Sequence, residues 1–388
     1  MINIAIIGTG NISRMHLEGY AGFTGRCSIT ALVDTAPENA EKRKKDFPFI
    51  AEAKVVSDYK EILNDTSIDL VDICTPPFCH AEIAAAFLNA GKHVIVEKPM
   101  AASLEECDRM IAAAEKNKKL LSVIAQNRFR GDVHKLKSTL DTGLIGRVVH
   151  AQVDSFWWRG HSYYDLWWRG TWDTEGGGCT LNHAVHHIDM LGWMLGRPAE
   201  INAIISNTAH DNAEVEDLSV AILRYNGSDR IANGALAQVT SSVVHHGEEQ
   251  QLIVQGEKAR ISFPWRVAAH LAQPNGFPKP EQNEALIKEL NDFYGALPDL
   301  PYGGHTAQLD NILTALETGG SPLSGGADGR LTIELITAIY KASIEGRKVT
   351  LPIGNDDPFY TTEGLTKKAP RFYQKTAFAQ NLSGDIKT

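Results

Sequence analysis

The chain opens on a short apolar run, Ile2 to Ile7, that meets Gly8-Thr9-Gly10-Asn11-Ile12-Ser13 with no residue between. A strand-length run that breaks into a G-x-G turn and then into a helical pattern permits few folds. The first glycine allows the tight turn, the second lets backbone approach a pyrophosphate, and the helix start offers N–H groups and a favourable dipole to the same anion. Ser13 stands where the strict pattern has a third glycine and keeps that position small. Gly8, Gly10, Asn11 and Ile12 are therefore the first expected contacts of a dinucleotide.

The rest of the first 125 residues alternates β-rich runs with helical patterns. Strands are expected at 2–7, 28–34, 69–73, 93–97 and 120–125, with helices from His80 to Asn89 and from Leu104 to Lys116, the second capped by Ser103 ahead of Glu106. This predicts a parallel α/β sheet of Rossmann type. Asp34 ends the second strand 24 residues beyond Gly10, where a carboxylate accepts ribose hydroxyls and repels a 2′-phosphate, so NAD is expected ahead of NADP. Lys42 and Arg43 on the following helix are the residues that would hold a phosphate instead. Thr75-Pro76, and the helix that begins at His80, follow the third strand and border the expected ligand crevice. Glu97-Lys98-Pro99 ends the fourth strand, placing Glu97 and Lys98 at the same carboxyl edge. A lysine in a partly dry site beside a cationic nicotinamide suits proton exchange with a substrate hydroxyl.

Beyond Arg130 the pattern changes. A helix near 131–141 and a strand near 147–157 precede a glycine run that feeds a helix at about 180–195. Strands near 200–207, 216–225, 230–241, 249–256 and 259–264 then follow without helices between them, and helices return at 281–293, 305–318 and 330–345. This predicts an α+β domain with a large, open, mostly antiparallel sheet. The 388 residues suit two domains, set here at 1–126 and 127–353, with 354–388 as a carboxyl-terminal tail. A formal charge of -9 with no basic patch argues against nucleic acid. Five scattered cysteines without a C-x-x-C pair read as free thiols, and no apolar segment is long enough for a signal peptide or membrane span, which points to the cytoplasm.

Gly176-Gly177-Gly178 leads into Cys179-Thr180-Leu181-Asn182-His183-Ala184-Val185-His186-His187. Asn182 and His186 are four apart and share a helical face, so an amide and an imidazole with an ordinary pKa near neutrality can hold one substrate. His183 and His187 invite a zinc reading, but Ala184 occupies the position of the glutamate in H-E-x-x-H and no third ligand is nearby, so no metal is expected. Five of the seven tryptophans fall between Trp157 and Trp172, interleaved with Arg, His and Tyr. Aromatic faces cover the C–H faces of a sugar or cyclitol ring while polar neighbours satisfy its hydroxyls. Tyr163, Arg169 and His305 are the expected further substrate contacts.

The G-x-G turn, Asp34, Thr75-Pro76, Glu97-Lys98-Pro99 and Asn182-x-x-x-His186, occurring in this order, resemble the Gfo/Idh/MocA family of glucose-fructose oxidoreductase and inositol dehydrogenase relatives. The resemblance covers nearly the whole chain. It implies a Rossmann domain, a carboxyl-terminal domain with an open sheet, and a nicotinamide dinucleotide bound between them. It implies further that Lys98 is the catalytic lysine, His186 the general acid/base and Asn182 a substrate ligand, with Asn127 near the cofactor. Many relatives carry aspartate at position 182, and Asn182 can orient the histidine but cannot carry a charge. The implied activity is reversible oxidation of a ring secondary hydroxyl of a sugar, sugar derivative or cyclitol, by a homodimer or homotetramer. An NAD-dependent glycosidase and a non-catalytic dinucleotide or sugar sensor are the alternatives that the same family offers.

Overall fold

The computed structural model describes residues 1–379, and the chain divides into two compact units, Met1–Arg130 with Leu300–Ile333, and Gly131–Asp299 with residues from Glu334 onward. Residues 380–388 of the expected tail lie outside the described residues. The segment 300–333, expected in the second domain, belongs to the first unit, because its apolar side chains complete that unit's core.

In the first unit β1 (Ile2–Ile7), α1 (Asn11–Ala21), β2 (Cys27–Val33), α2 (Pro37–Asp46), β3 (Lys54–Val56), β4 (Leu70–Ile73), α3 (His80–Asn89), β5 (His93–Val96), α4 (Leu104–Asn117) and β6 (Leu121–Val123) follow one another. The six strands form one parallel sheet in the order β3-β2-β1-β4-β5-β6. Helices cover such a sheet on both faces, so its strands are nearly continuous apolar runs. Asp72, fully buried in β4, is the conspicuous exception. Strand order reverses between β1 and β4, which places the turns after these strands at the switch point where α/β sheets bind ligands. Ser103 caps α4 as expected, accepting from the Glu106 N–H at 3.3 Å.

The second unit contains α5 (Gly131–Asp141), β7 (Val148–Phe156), α6 (Cys179–Asn182), α7 (Val185–Leu195), β8 (Glu200–Ser206), β9 (Leu218–Arg224), β10 (Ile231–Ser242), β11 (Gln250–Gly256), β12 (Arg260–Phe263), β13 (Arg266–Ala268), β14 (His270–Ala272), β15 (Pro278–Gln282) and α8 (Glu284–Ala296). After these come α9 (Gly304–Thr318) in the first unit, α10 (Gly326–Glu345), which runs across the boundary at 333, and then β16 (Val349–Thr350) and α11 (Thr362–Lys368). The large sheet has the order β13-β12-β11-β7-β10-β9-β8-β16; β7 and β10 run parallel and its other pairs antiparallel. Strand β9 alternates strictly, with Ser219, Ala221 and Leu223 buried while Val220, Ile222 and Arg224 face outward. Helices α5, α6 and α7 pack on this sheet. Apolar side chains stand exposed on β8 to β10: Ile204 (74%), Val220, Ile222 (52%) and Leu236. The helix expected at 180–195 is two pieces, interrupted at His183 and Ala184.

Leu309, Ile312 and Leu313 of α9 are fully buried in one core with Ile4, Ile6, Leu17, Leu32, Leu70 and Ile95. Each such side chain contributes about 1.5–3 kcal/mol by leaving water. Gly19 lets α9 approach α1, since a Cβ there would sit 2.8 Å from Leu309 Cδ1. Gln308 finishes the sheet's edge: its Oε1 accepts from the Ala125 N–H at 2.9 Å and its amide donates to Val123 O at 2.8 Å. Among the described residues no helix is long and apolar enough to cross a membrane.

Candidate active site

The turn after β1 has the shape expected for a pyrophosphate. Gly8 adopts φ +89, and a Cβ there would lie 2.8 Å from the Cys74 carbonyl oxygen, so no side chain fits. A Cβ on Gly10 would meet nothing within 4 Å, which leaves open space before the first N–H groups of α1, where Asn11 is exposed and Ile12 half-buried. Ser13 is buried and donates to Gly10 O at 2.7 Å, bracing the turn from behind.

Asp34 lies beside this turn. Its Oδ2 accepts from the Thr9 N–H at 2.8 Å and the Thr9 hydroxyl at 2.7 Å, while Oδ1 accepts from the Ala36 N–H at 2.9 Å and the Asn39 amide at 3.4 Å. Arg43 does not face the open side. It is buried, donates to Gly10 O at 2.9 Å and to Ser13 Oγ at 3.4 Å, and pairs with Asp46 at 3.0 Å. Lys42 is exposed.

Behind the edges of β4 and β5, His80 is fully buried and joins the two turns, with Nε2 2.8 Å from Thr75 O and Nδ1 2.9 Å from Pro99 O. Desolvation lowers its pKa. His80, expected at the cofactor crevice, has no exposed surface and bridges the carbonyls of Thr75 and Pro99. Glu97, expected at the same edge, is also buried. Its carboxylate points into the unit, with Oε1 2.9 Å from His16 Nε2 and 3.5 Å from His305 Nε2, and Oε2 accepting from the Lys98 N–H at 2.9 Å. Burial works to raise the Glu97 carboxyl, but hydrogen bonds from His16 and His305 and their charges outweigh it and hold it well below its usual range. His305, expected to touch substrate, is thus part of this interior group, with its ring 5.3 Å from that of His16. Asn127 is half-buried in a short turn after β6, beside Arg128, whose guanidinium donates to Asp328 at 2.9 Å.

Two sets of atoms here could also face a metal ion, His16-Asp72-Cys74 and His16-Glu97-His305. Two ligand atoms bonded to one tetrahedral ion at about 2.1 Å stand about 3.4 Å apart. The 2.7 and 2.9 Å separations at His16 are instead hydrogen-bond lengths.

In the second unit the glycine run has a definite cause. A Cβ on Gly177 would come within 2.2 Å of the Tyr340 hydroxyl, and one on Gly178 within 1.9 Å of Glu216 O. Their absence admits the fully buried Glu216 side chain, which accepts from the Gly178 N–H and the Thr180 N–H, each at 3.0 Å, and from Tyr340 OH at 2.9 Å. Burial pushes the Glu216 carboxyl up to about 7 against the pull of these donors. The carboxylate thereby caps α6. Asn182 turns back on the same loop, donating to Gly177 O at 3.0 Å. The break at His183 and Ala184 follows, so Asn182 and His186 do not share a continuous helical face; His186 is half-buried in the first turn of α7.

His183, set aside in the sequence reading, has its Nε2 3.3 Å from the Tyr163 hydroxyl and its ring 5.9 Å from Trp157. The signal was present, one residue beyond Asn182, but only the break in the helix turns it toward Tyr163. The aromatic segment has mixed roles. Trp172 and Tyr164 are buried, the first edge-on to Tyr340 at 5.1 Å. Trp158 and Trp167 face outward. Burial pushes the Tyr163 hydroxyl up to about 12. Arg169 stacks over Tyr163 and Trp168 at 4.3 and 4.1 Å and pairs with the buried Glu175 at 2.8 Å.

The segment after α11, read as a tail, straps this aromatic stretch. Trp172 donates its indole N–H to Pro370 O at 2.8 Å, and the Trp167 N–H donates to Ala379 O at 2.8 Å. The Ala379 N–H donates to Asp165 O at 2.7 Å, and the buried Lys375 ammonium caps the carbonyls of Tyr164 and Leu166. Desolvation lowers the pKa of Lys375.

Residues 2–125 match the model of an oxidoreductase family with an NAD-binding Rossmann fold, and residues 133–262 match the GFO/IDH/MocA carboxyl-terminal domain. A scyllo-inositol 2-dehydrogenase (NADP(+)) of Bacillus subtilis is 30% identical over 80% of this chain and 86% of its own. The chain belongs to the Gfo/Idh/MocA oxidoreductase family. A levoglucosan dehydrogenase of Pseudarthrobacter phenanthrenivorans is 26% identical over 90% of this chain and 98% of its own. The crystal structure of the WlbA dehydrogenase from Bordetella pertussis, in complex with NADH and UDP-GlcNAcA, superposes with a TM-score of 0.76 at 28% identity over 91% of this chain and 98% of that one. For a Gfo/Idh/MocA protein the cradle is as it should be: the side chain barred at Gly8 and the open space at Gly10 fit the NAD that the family's first domain binds.

Proposed function

We propose that the protein is an NAD-linked dehydrogenase that oxidises, reversibly, a ring secondary hydroxyl of an uncharged sugar or cyclitol. The observation that carries this reading is Lys98, which leaves β5 at the carboxyl edge of the sheet with its peptide N–H held by Glu97. When bound, NAD supplies the hydride acceptor. Gly8, Gly10, Asn11, Ile12, Asp34, Thr75, Pro76 and Asn127 are the residues proposed to hold it. Lys98 or His186 takes the hydroxyl proton and returns it in the reverse direction. Asn182, Tyr163 and His183 present polar groups to the ring, and Trp157 an apolar face.

Asp34 supports NAD over NADP: it is anchored beside the turn as a repelling charge, and Arg43 is already engaged on Gly10 O. The pairing of cations supports an uncharged substrate. Along the aromatic segment Arg159 pairs with Glu248 and Arg169 with Glu175. A carboxylated or nucleotide-linked sugar would have to displace one of these partners. The exposed apolar side chains on β8 to β10 support a homo-oligomer formed on that sheet face. Five free cysteines support a reducing, cytoplasmic setting.

The test is absorbance in the reduced-nicotinamide band with purified protein, comparing NAD with NADP over pyranoses, anhydrosugars, inositols, uronates and nucleotide sugars. Reduction of NAD by a neutral ring is expected, and Lys98→Ala should lower kcat by about 10²–10⁴ while NAD affinity holds. Preference for NADP or for an anionic sugar would overturn the finer reading. Release of an aglycone without net reduction would make the protein a glycosidase, and sugar binding without either reaction would make it a sensor.

A further inference from the structure

His16 projects from α1 into the first unit and has no exposed surface. Its Nδ1 lies 2.7 Å from Asp72 Oδ2 and its Nε2 2.9 Å from Glu97 Oε1. An ionised carboxylate only accepts, so a ring that meets one at each nitrogen satisfies both only by carrying a proton on each. Both carboxylates have further hydrogen-bond partners. Asp72 Oδ2 accepts from the Tyr20 hydroxyl at 2.9 Å, and the Cys74 thiol is 3.8 Å from its Oδ1. Glu97 accepts from the Lys98 N–H through Oε2 and faces His305 through Oε1. The proton therefore stays on the ring. Although burial works against it, the charge of Asp72 raises the His16 pKa well above its ordinary value.

We propose that His16 is a positioning residue: a buried imidazolium, braced by Asp72, that orients Glu97 and through it the peptide and the electrostatic surroundings of Lys98. The inference rests on the reading of Lys98 as the proton-handling residue. A charged triad in a dry interior costs several kcal/mol to bury, and apolar side chains of similar volume would stabilise the fold as well or better. What the triad does that apolar packing cannot is fix the charge behind Lys98. Asp72, His16 and Glu97 form one continuous hydrogen-bonded line from β4 through α1 to β5, and it ends on the lysine's own N–H. With the imidazolium in place two negative charges are offset by one positive charge. Without it the two carboxylates act more strongly on Lys98, with His305 left beside Glu97, so the ammonium form of Lys98 is favoured and a higher pH is needed before it can accept a proton.

The variant is His16→Gln, which keeps one hydrogen bond and loses the charge, assayed as the full chain with NAD and the best neutral substrate. The acid limb of the kcat–pH profile should move up by about one pH unit, with kcat at pH 7 down about tenfold and NAD affinity within about threefold. Asp72→Asn, which removes the brace and one negative charge together, should move the limb by less than His16→Gln does. A lower Tm with an unmoved profile in a folded variant overturns the proposal and leaves a merely structural salt bridge. The ring's state is also read in the wild type, without substrate, by NMR of ¹⁵N-histidine-labelled protein. Two protonated ring nitrogens on His16 across pH 6–9 are expected, and a neutral ring at pH 7 overturns the proposal even if neither variant folds. If instead Lys98→Ala keeps full turnover while the ring is doubly protonated, the assignment of Lys98 has failed, and with it the positioning role.

Discussion

Glu216 offers the sharpest test of how the second unit holds its glycine loop. Truncation to alanine leaves the Gly178 N–H, the Thr180 N–H and the Tyr340 hydroxyl without their acceptor in a fully buried place. Each orphaned donor costs about 1–3 kcal/mol, so Glu216→Ala should lose about 3–9 kcal/mol of stability. Glu216→Gln keeps the shape but sets its NH₂ against one backbone donor whichever way it turns, at a cost of about 1–3 kcal/mol. The pH dependence adds a second reading. With the carboxyl raised from 4.5 to about 7 in the fold, the unfolded chain loses this proton between pH 4.5 and 7 while the folded chain keeps it. Stability from this group is therefore full below pH 4.5 and falls as pH rises to 7, by up to about 3 kcal/mol. The glutamine variant lacks this slope, so the wild type's lead over it should shrink by that amount from pH 4.5 to 7.5. All seven tryptophans lie in the second unit, so urea unfolding followed by tryptophan fluorescence reports on it alone. An alanine variant within 1 kcal/mol of wild type would refute the cap, and a wild-type-minus-glutamine difference that is flat with pH would refute the protonation argument.

Three other outcomes are expected. Gly8→Ala, whose Cβ would press on the Cys74 carbonyl at positive φ, should lower NAD affinity by at least about tenfold, measured by NADH fluorescence titration, through a displaced turn and strain of about 1–3 kcal/mol. Deletion of residues 369–388 removes the strap that holds Trp167, Trp172 and the carbonyls around Leu166; it should raise the substrate KM and open the 157–172 segment to limited proteolysis with NAD binding unchanged. Ile222→Glu, on the exposed face of β9, should shift the protein toward monomer in light scattering while the fold, read by circular dichroism, is kept.

Much of the parallel sheet was readable because strands buried on both faces must be apolar end to end, as Ile4 to Ile7 and Leu70 to Val71 are. Strand β3 was not, because three residues at a sheet edge, beginning with the exposed Lys54, carry no period. The helix break at His183 was also invisible. Neither His183 nor Ala184 disfavours helix; the interruption comes with Glu216, which claims the N–H groups of Gly178 and Thr180 from another part of the chain. Position along a strand located Glu97 and Lys98 at the right edge, but not which way Glu97 turns. That depended on His16, whose place on the helix after the glycine turn gave no hint of two carboxylate partners. The density of tryptophans was legible, whereas the burial of Trp172 required Tyr340 and Pro370.

Gln308 gives the first unit a timetable as well as an edge. The N–H of Ala125 and the carbonyl of Val123 have their partners on a side chain that leaves the ribosome after most of the second unit has been made. Domains otherwise tend to fold as they emerge, amino-terminal first. Here the nascent cofactor domain must wait with β6 half-satisfied and the places of Leu309, Ile312 and Leu313 unfilled. A fragment ending at residue 130 should therefore behave as an expanded, chaperone-dependent species, and supplying residues 300–333 as a separate peptide should compact it.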